Sequence, residues 1–345
     1  ARGQQAFYSG PIARDIVGAV RNAKKRPGTL SITDLLRYRA HPRDPVCRHY
    51  RKNRVCAMAP PSSGGIAVLQ VLAFMEPVDV SSLSEPDLAH RFVEANRLAF
   101  ADRDAWVADP GFASIPGLLD SGYLTRRTAL IGDKAAPGVS AGQPPNAPRS
   151  RTAPSPERPS TTHLVVVDGD GNAVSLTASI ENAFGSMIMV RGFLLNNQVT
   201  DFSFLTSKDG FLVPNRIQPG KRPRSSMAPV IVLDPAGDFR LAIGSAGGSR
   251  IIPFVGWSLI QMLDLGRDPQ AALSAPHLVC TGGPVEIEAQ RGQEAWAQVL
   301  RAALEPRGHT VVVGELNSGM QAVQRVQCAL LGGADPRREG LVLGD

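Results

Sequence analysis

An α+β protein is predicted from three features of the 345-residue sequence. Apolar residues at helical spacing mark its first third. β-rich runs broken by Gly, Asn and Asp mark its second half, and a Pro-rich stretch divides the two.

Residues 1–45 read as helical: apolar side chains recur at helical spacing over 12–20, and Gly28 closes the segment. Ser31 followed by Asp34 resembles a helix entrance, with Ile32, Leu35 and Leu36 forming one apolar face. The run 50–58 alternates as a short strand, and Pro60-Pro-Ser-Ser-Gly-Gly65 is a turn launching an apolar helix over 66–75. An amphipathic helix follows over 85–102. Between 135 and 160 there are seven prolines, four serines and almost no large apolar side chains, so an exposed, mobile loop is expected there.

Beyond that loop, 161–168 and 173–177 are β-rich runs joined by Asp168-Gly-Asp-Gly-Asn172, the pattern of a β-hairpin. A calcium loop would need Gly where Ala173 stands and a closing Glu, so this is read as a turn. Further strands are expected at 192–196, 229–233 and 239–243. Gly244-Ser-Ala-Gly-Gly-Ser249 leads into a helix over 251–265, but its spacing is not that of a dinucleotide site. A small hairpin-like unit, 310–316 with 321–331, ends the chain.

Composition narrows the function. The formal charge is +6, yet the arginines are scattered and no basic face is interleaved with aromatics, which argues against nucleic-acid binding. No run is long and apolar enough to span a bilayer. The four cysteines form no C-x-x-C pair and the six histidines lack ligand spacing, so no metal is called. A Cys47–Cys56 disulfide is left open. The chain begins Ala1-Arg-Gly without an initiator Met or a secretory signal, so no localisation follows from it.

The chemistry centres on Thr161, which stands directly after the Pro-rich loop and at the head of a strand. A threonine hydroxyl needs a base to act as a nucleophile near neutral pH. A free α-amine, with a reference pKa of about 7.7–8.0, is such a base on the same residue. That requires Thr161 to be the first residue of its chain, so backbone cleavage between Ser160 and Thr161 is expected, with the loop supplying slack. Ser179 lies on the return strand, where it can hydrogen-bond the Thr161 hydroxyl across the hairpin.

The strings TTHLVVVDGDGNAVSLTASIENAFGS, LLNNQVTDFS, KRPRSSMAP and GSAGGSRII resemble, in this order, the small subunit of gamma-glutamyltransferases, which are self-cleaving N-terminal-nucleophile hydrolases. FYSGPIARDIV, PGTLSITDLLRY and PPSSGG resemble the latter part of the same family's large subunit. The resemblance implies an αββα sandwich, incomplete on its N-terminal side. It divides the chain into 1–160, ending in the processing loop 135–160, and 161–345, two subunits from one precursor. It implies Thr161 as the nucleophile, Ser179 as its support, and Gly247 and Gly248 as N–H donors to the oxyanion. Gln198 and Asp201 would hold the substrate α-ammonium, and Ser225 and Ser226 its α-carboxylate. The donor would be a small γ-glutamyl amide such as glutathione and the acceptor water or an amine, with no cofactor. Related bacterial enzymes are often exported.

Three departures from the family stand out. Glu181 replaces an Asn that contacts the α-ammonium. The segment 204–221 is too short to carry a long lid. The arginine that pairs with the α-carboxylate belongs to a motif absent here, and Arg191, Arg222, Arg224 and Arg250 are considered in its place without positional grounds. An acylase of the same fold acting on a β-lactam side chain or a capsule polymer is the alternative, as is an inactive truncated homologue.

Overall fold

The computed structural model describes residues 3–153, 155, 157, 160–289 and 292–344. Ala1 and parts of the Pro-rich stretch therefore lie outside the described residues. At its centre is an antiparallel sheet of six strands in the order Val46–Tyr50, Asn53–Ala57, Val230–Leu233, Phe239–Gly244, Gln321–Val326 and Ala329–Ala334.

One face of this sheet is covered by the helices Gly64–Met75 and Ile251–Leu263. The first is apolar all round and every one of its residues is buried, as an interior helix must be. Its one polar side chain, Gln70, donates to the Leu118 carbonyl at 3.1 Å and to Asp102 at 3.3 Å, which satisfies its amide nitrogen, whereas its Oε1 has no partner among the described residues. The 22-residue helix Glu85–Trp106 packs outside it, capped by the Ser84 hydroxyl, which accepts from the Asp87 N–H. Ser31 and Asp34 form the expected capping box at the helix Ile32–Arg37.

On the other face lies the hairpin of Thr162–Val167 and Ala173–Ala178, turned by Asp168, whose carboxylate accepts from the N–H groups of Asp170 and Asn172. Period-two alternation sends His163 inward against Gly244 and leaves Leu164, Val166, Val174 and Leu176 exposed on the outer face. Thus the helix layer and two stacked sheets of the expected αββα arrangement are present among the described residues, with the hairpin's outer face open.

The sheets approach closely at Gly244. A Cβ there would lie 2.2 Å from the His163 ring, whose own position is fixed by a 2.9 Å hydrogen bond to the Thr177 hydroxyl. Gly244→Ala is therefore expected to destabilise the fold by about 1–3 kcal/mol through overpacking. The check is a denaturant midpoint, and an unchanged midpoint would mean the hairpin is free to shift.

Four expectations need correction. The run 50–58 is not one strand: Arg51 turns the chain at φ 52°, pairing Val46–Tyr50 with Asn53–Ala57. That register sets Cys47 opposite Cys56, and the two are disulfide-bonded. The strand expected at 192–196 is reduced to Phe193–Leu194. The C-terminal unit is divided between two sheets. Val311–Gly314 follows the helix Glu294–Leu304 and pairs parallel to Val285–Glu288, as a strand–helix–strand crossover dictates, whereas Gln321–Val326 pairs with Ala329–Ala334. Finally, the first half of the Pro-rich stretch is pinned, not loose. The Gly142 N–H donates to Asp102 at 2.8 Å, its carbonyl accepts from Trp106 at 3.2 Å, and Arg127 donates to the Ser140 carbonyl at 3.0 Å. Backbone groups, which composition does not show, tie it down.

Candidate functional site

The site forms where the hairpin's open end meets the rim of the six-stranded sheet. Because Thr162 pairs with Ala178, the next residues outward, Thr161 and Ser179, face each other. The Thr161 hydroxyl donates to Ser179 Oγ at 3.4 Å, and Ser179 in turn donates to the carbonyl oxygen of Ser160 at 2.7 Å. The Glu181 N–H also donates to Ser179 Oγ, at 2.9 Å. This hydroxyl therefore has a fixed orientation, aimed at the peptide bond in front of Thr161.

Around Thr161 and Ser179 a small pocket is lined by Glu181, Gln198, Asp201, Ser225, Ser226 and Gly248. Sequence reasoning singled out all of these, and the fold brings them together from four separate segments. Gly247 adjoins the pocket without lining it. Its φ of 136° is one that side chains rarely adopt, and a Cβ there would meet Phe254 at 2.8 Å.

One wall is acidic. Asp201 is buried and accepts from the Gln198 side chain, while Glu181, also buried, accepts from Asn197. Each carboxylate keeps one buried oxygen without a partner among the described residues, Asp201 Oδ1 and Glu181 Oε1. Burial, reinforced by the nearby charges of Glu157 and Glu181, pushes the Asp201 carboxyl up to about 7. Two unsatisfied carboxylate oxygens in one pocket suit a cation.

The opposite wall is hydroxylic. Ser225 is held by a backbone bridge to Ser62, and its carbonyl accepts from the Ser63 N–H at 2.7 Å. Its side chain accepts from the Met227 N–H rather than capping a helix. Ser226 accepts from Arg103 at 2.7 Å.

Arg103 was missed by sequence reasoning. It lies on the buried face of the long helix, 3% exposed, and pairs with both Asp104 and Glu157. The signal was present: a cation at helical spacing from Ala99, Phe100 and Trp106, on the face that packs inward. The four arginines considered earlier do not line the pocket. Arg191 pairs with Asp15, Arg250 with Glu286 and Arg224 with Asp104, and Arg222 donates to the Arg39 carbonyl.

The profile of the family described as Gamma-glutamyltranspeptidase matches residues 1–344. The glutathione hydrolase proenzyme of Pseudomonas sp. (strain A14) is 34% identical over 372 residues, covering 100% of this chain and 61% of that protein. The protein of the same name from Escherichia coli (strain K12) is 34% identical over 352 residues, covering 97% of this chain and 58% of its own length. Among solved structures, the cephalosporin acylase from Bacillus halodurans superposes with a TM-score of 0.83 at 28% identity, over 98% of this chain and 59% of the acylase. The chain spans about three fifths of the length of these relatives. Its mixed α and β architecture is theirs, and by the match over residues 1–344 the chain belongs to the gamma-glutamyltranspeptidase family.

Proposed function

We propose that the chain cleaves itself between Ser160 and Thr161 and then hydrolyses or transfers γ-glutamyl amides through an acyl–Thr161 intermediate. The observation that carries this reading is the hydrogen-bonded line from the Thr161 hydroxyl through Ser179 to the Ser160 carbonyl. In self-cleavage the Thr161 hydroxyl adds to the Ser160 carbonyl carbon. Ser179 donates to the oxygen that gains charge, the C–N bond breaks as the amine takes a proton, and water hydrolyses the resulting ester.

The freed amine then serves as base for the Thr161 hydroxyl and returns the proton to the leaving amine. Backbone N–H groups of Gly247 and Gly248 receive the oxyanion, as donors placed where charge develops. The unpaired oxygens of Glu181 and Asp201 receive the donor's ammonium, and Ser225 and Ser226 its carboxylate. On this reading 1–160 and 161–345 become two subunits that remain together. The substrate is a small γ-glutamyl amide of the glutathione kind.

A second reading, an acylase for acyl groups lacking the ammonium, is favoured by the segment after Asp201. It folds only as a minimal hairpin of Ser207–Lys208 with Phe211–Leu212, leaving Phe204, Leu205 and Leu212 exposed.

The two readings separate on pH. An ammonium needs Asp201 ionised, and its carboxyl sits at about 7 in the uncut chain because burial and two carboxylates raise it. With γ-glutamyl anilide, KM is expected to rise as pH falls below the Asp201 pKa, approaching about tenfold per pH unit, the change set by one proton. With glutaryl anilide, which lacks the ammonium, KM should not rise. A higher kcat/KM for glutaryl anilide at every pH would reject the γ-glutamyl reading in favour of the acylase.

A further inference from the structure

Glu157 belongs to the segment in front of the cleavage point, yet its carboxylate lies inside the site. It accepts from Arg103, whose same nitrogen donates to Ser226 Oγ at 2.7 Å, and its side chain is only 7% exposed. The segment is pinned a second time at Ser155, which donates to the Asp201 carbonyl at 2.5 Å and accepts from Asn215 at 2.7 Å. Glu157 also stands as a partition. It lines the small pocket at Thr161, with a volume of about 20 Å³, and a neighbouring cavity of about 700 Å³ bounded by Arg103, Asp104 and Arg224.

The charges explain why an anion sits there. Arg103 and Arg224 are both 3% exposed, and both pair with Asp104, which is itself 43% exposed. Burial and the neighbouring Arg103 push Arg224 down to about 10, a sign of crowded positive charge. Asp201 and Glu181 face the Thr161 pocket from the other wall. Without Glu157, two buried guanidinium groups share one half-exposed carboxylate, and a buried cation left without a full partner is costly.

We propose that Arg103 backs Ser226 in the donor-carboxylate subsite of the proposed function, and that Glu157 fills this subsite as an internal stand-in until the chain is cut. Cleavage after Ser160 releases the tether on Glu157, joins the small pocket to the larger cavity and exposes Arg103 to the donor. The inference rests on the reading of Thr161 as the cleavage point. It does not depend on which acyl group is turned over, because γ-glutamyl and glutaryl groups place a carboxylate at the same distance from the reacting carbonyl.

The test uses the full chain held uncut by Thr161→Ala, with L-glutamate and glutarate as probes in equilibrium titrations. The uncut chain is expected to bind neither, and adding Glu157→Ala should tighten at least one by tenfold or more. Adding Arg103→Met should abolish that gain. Glu157→Gln, of the same shape without the charge, gives a smaller gain and guards against misfolding of the alanine variant, with melting curves run on each. Equal affinity for both probes with and without Glu157 would overturn the proposal, as would a gain that persists without Arg103. Neither result depends on turnover of γ-glutamyl or glutaryl anilide, which decides the proposed function separately.

Discussion

Thr161→Ala is expected to yield a single intact chain, and the parent protein two pieces of which one begins Thr161-Thr-His-Leu. The reasoning is geometric. In the uncut chain the Ser160 carbonyl already accepts a 2.7 Å hydrogen bond from Ser179, so the bond to be broken is polarised before any substrate arrives. Thr161→Ala removes the hydroxyl together with the γ-methyl and leaves the backbone chemically unchanged; Thr161→Ser removes the methyl alone. In the proposed mechanism both self-cleavage and acyl transfer use this hydroxyl, so anilide release should fall by on the order of 10⁴-fold or more, the scale seen when a covalent nucleophile is removed. Thr161→Ser, which keeps a hydroxyl on a less constrained side chain, should restore cutting at a reduced rate. The measurements are intact mass and N-terminal sequencing, followed by a γ-glutamyl anilide assay. Cleavage that persists at the same bond in Thr161→Ala would remove Thr161 from the self-cleaving step and place the chemistry elsewhere.

How far the site can be read from sequence depends on the range of the contacts that build it. The hairpin was legible because its signals are local: alternation on either side of Asp168-Gly-Asp-Gly-Asn172 fixes the register, and the register puts Thr161 opposite Ser179. The Asp201 and Ser226 walls were legible only through their motifs, since nothing local says that they meet. Arg103 and Glu157 escaped altogether. Their contact joins the interior face of a helix to a Pro-rich stretch whose composition suggests no contacts at all. The same cause underlies the misjudged stretch at Ser140 and Gly142, where backbone N–H and C=O groups hold the chain to Asp102, Trp106 and Arg127. Backbone hydrogen bonds to distant side chains leave no trace in residue type, apart from the glycine where approach is closest. At Gly142 a Cβ would meet the Tyr123 hydroxyl at 2.4 Å. The split of the C-terminal unit has a different origin. Both of its runs have strand character, but only the helix before Val311 decides that this strand must return parallel to Val285–Glu288.

Arg337→Met is expected to cost about 3–5 kcal/mol of stability, because it removes the cation from a fully buried network. The Arg337 guanidinium donates to Glu288 at 2.5 and 2.6 Å, to Asp335 at 3.1 Å, and to the carbonyls of Leu273 and Ala275 at 2.8 Å. Its side chain is 3% exposed and those of Glu288 and Asp335 are 0% exposed, so water cannot take its place. A loss of that size should lower the melting temperature by on the order of 10 °C in a domain of this length. The same substitution should also slow self-cleavage. The next residue, Arg338, donates to the Thr161 carbonyl at 3.0 Å and to Asn317 at 3.0 Å, and Arg337 fixes the turn that presents it. Arg338→Met separates the two effects. It leaves the buried network intact and removes only the hold on the Thr161 backbone, so the melting temperature should stay nearly unchanged while conversion to the two pieces slows. If Arg338→Met cuts at the parental rate, the Thr161 carbonyl needs no support from the C-terminal turn, and any slowing in Arg337→Met would then reflect lost stability alone.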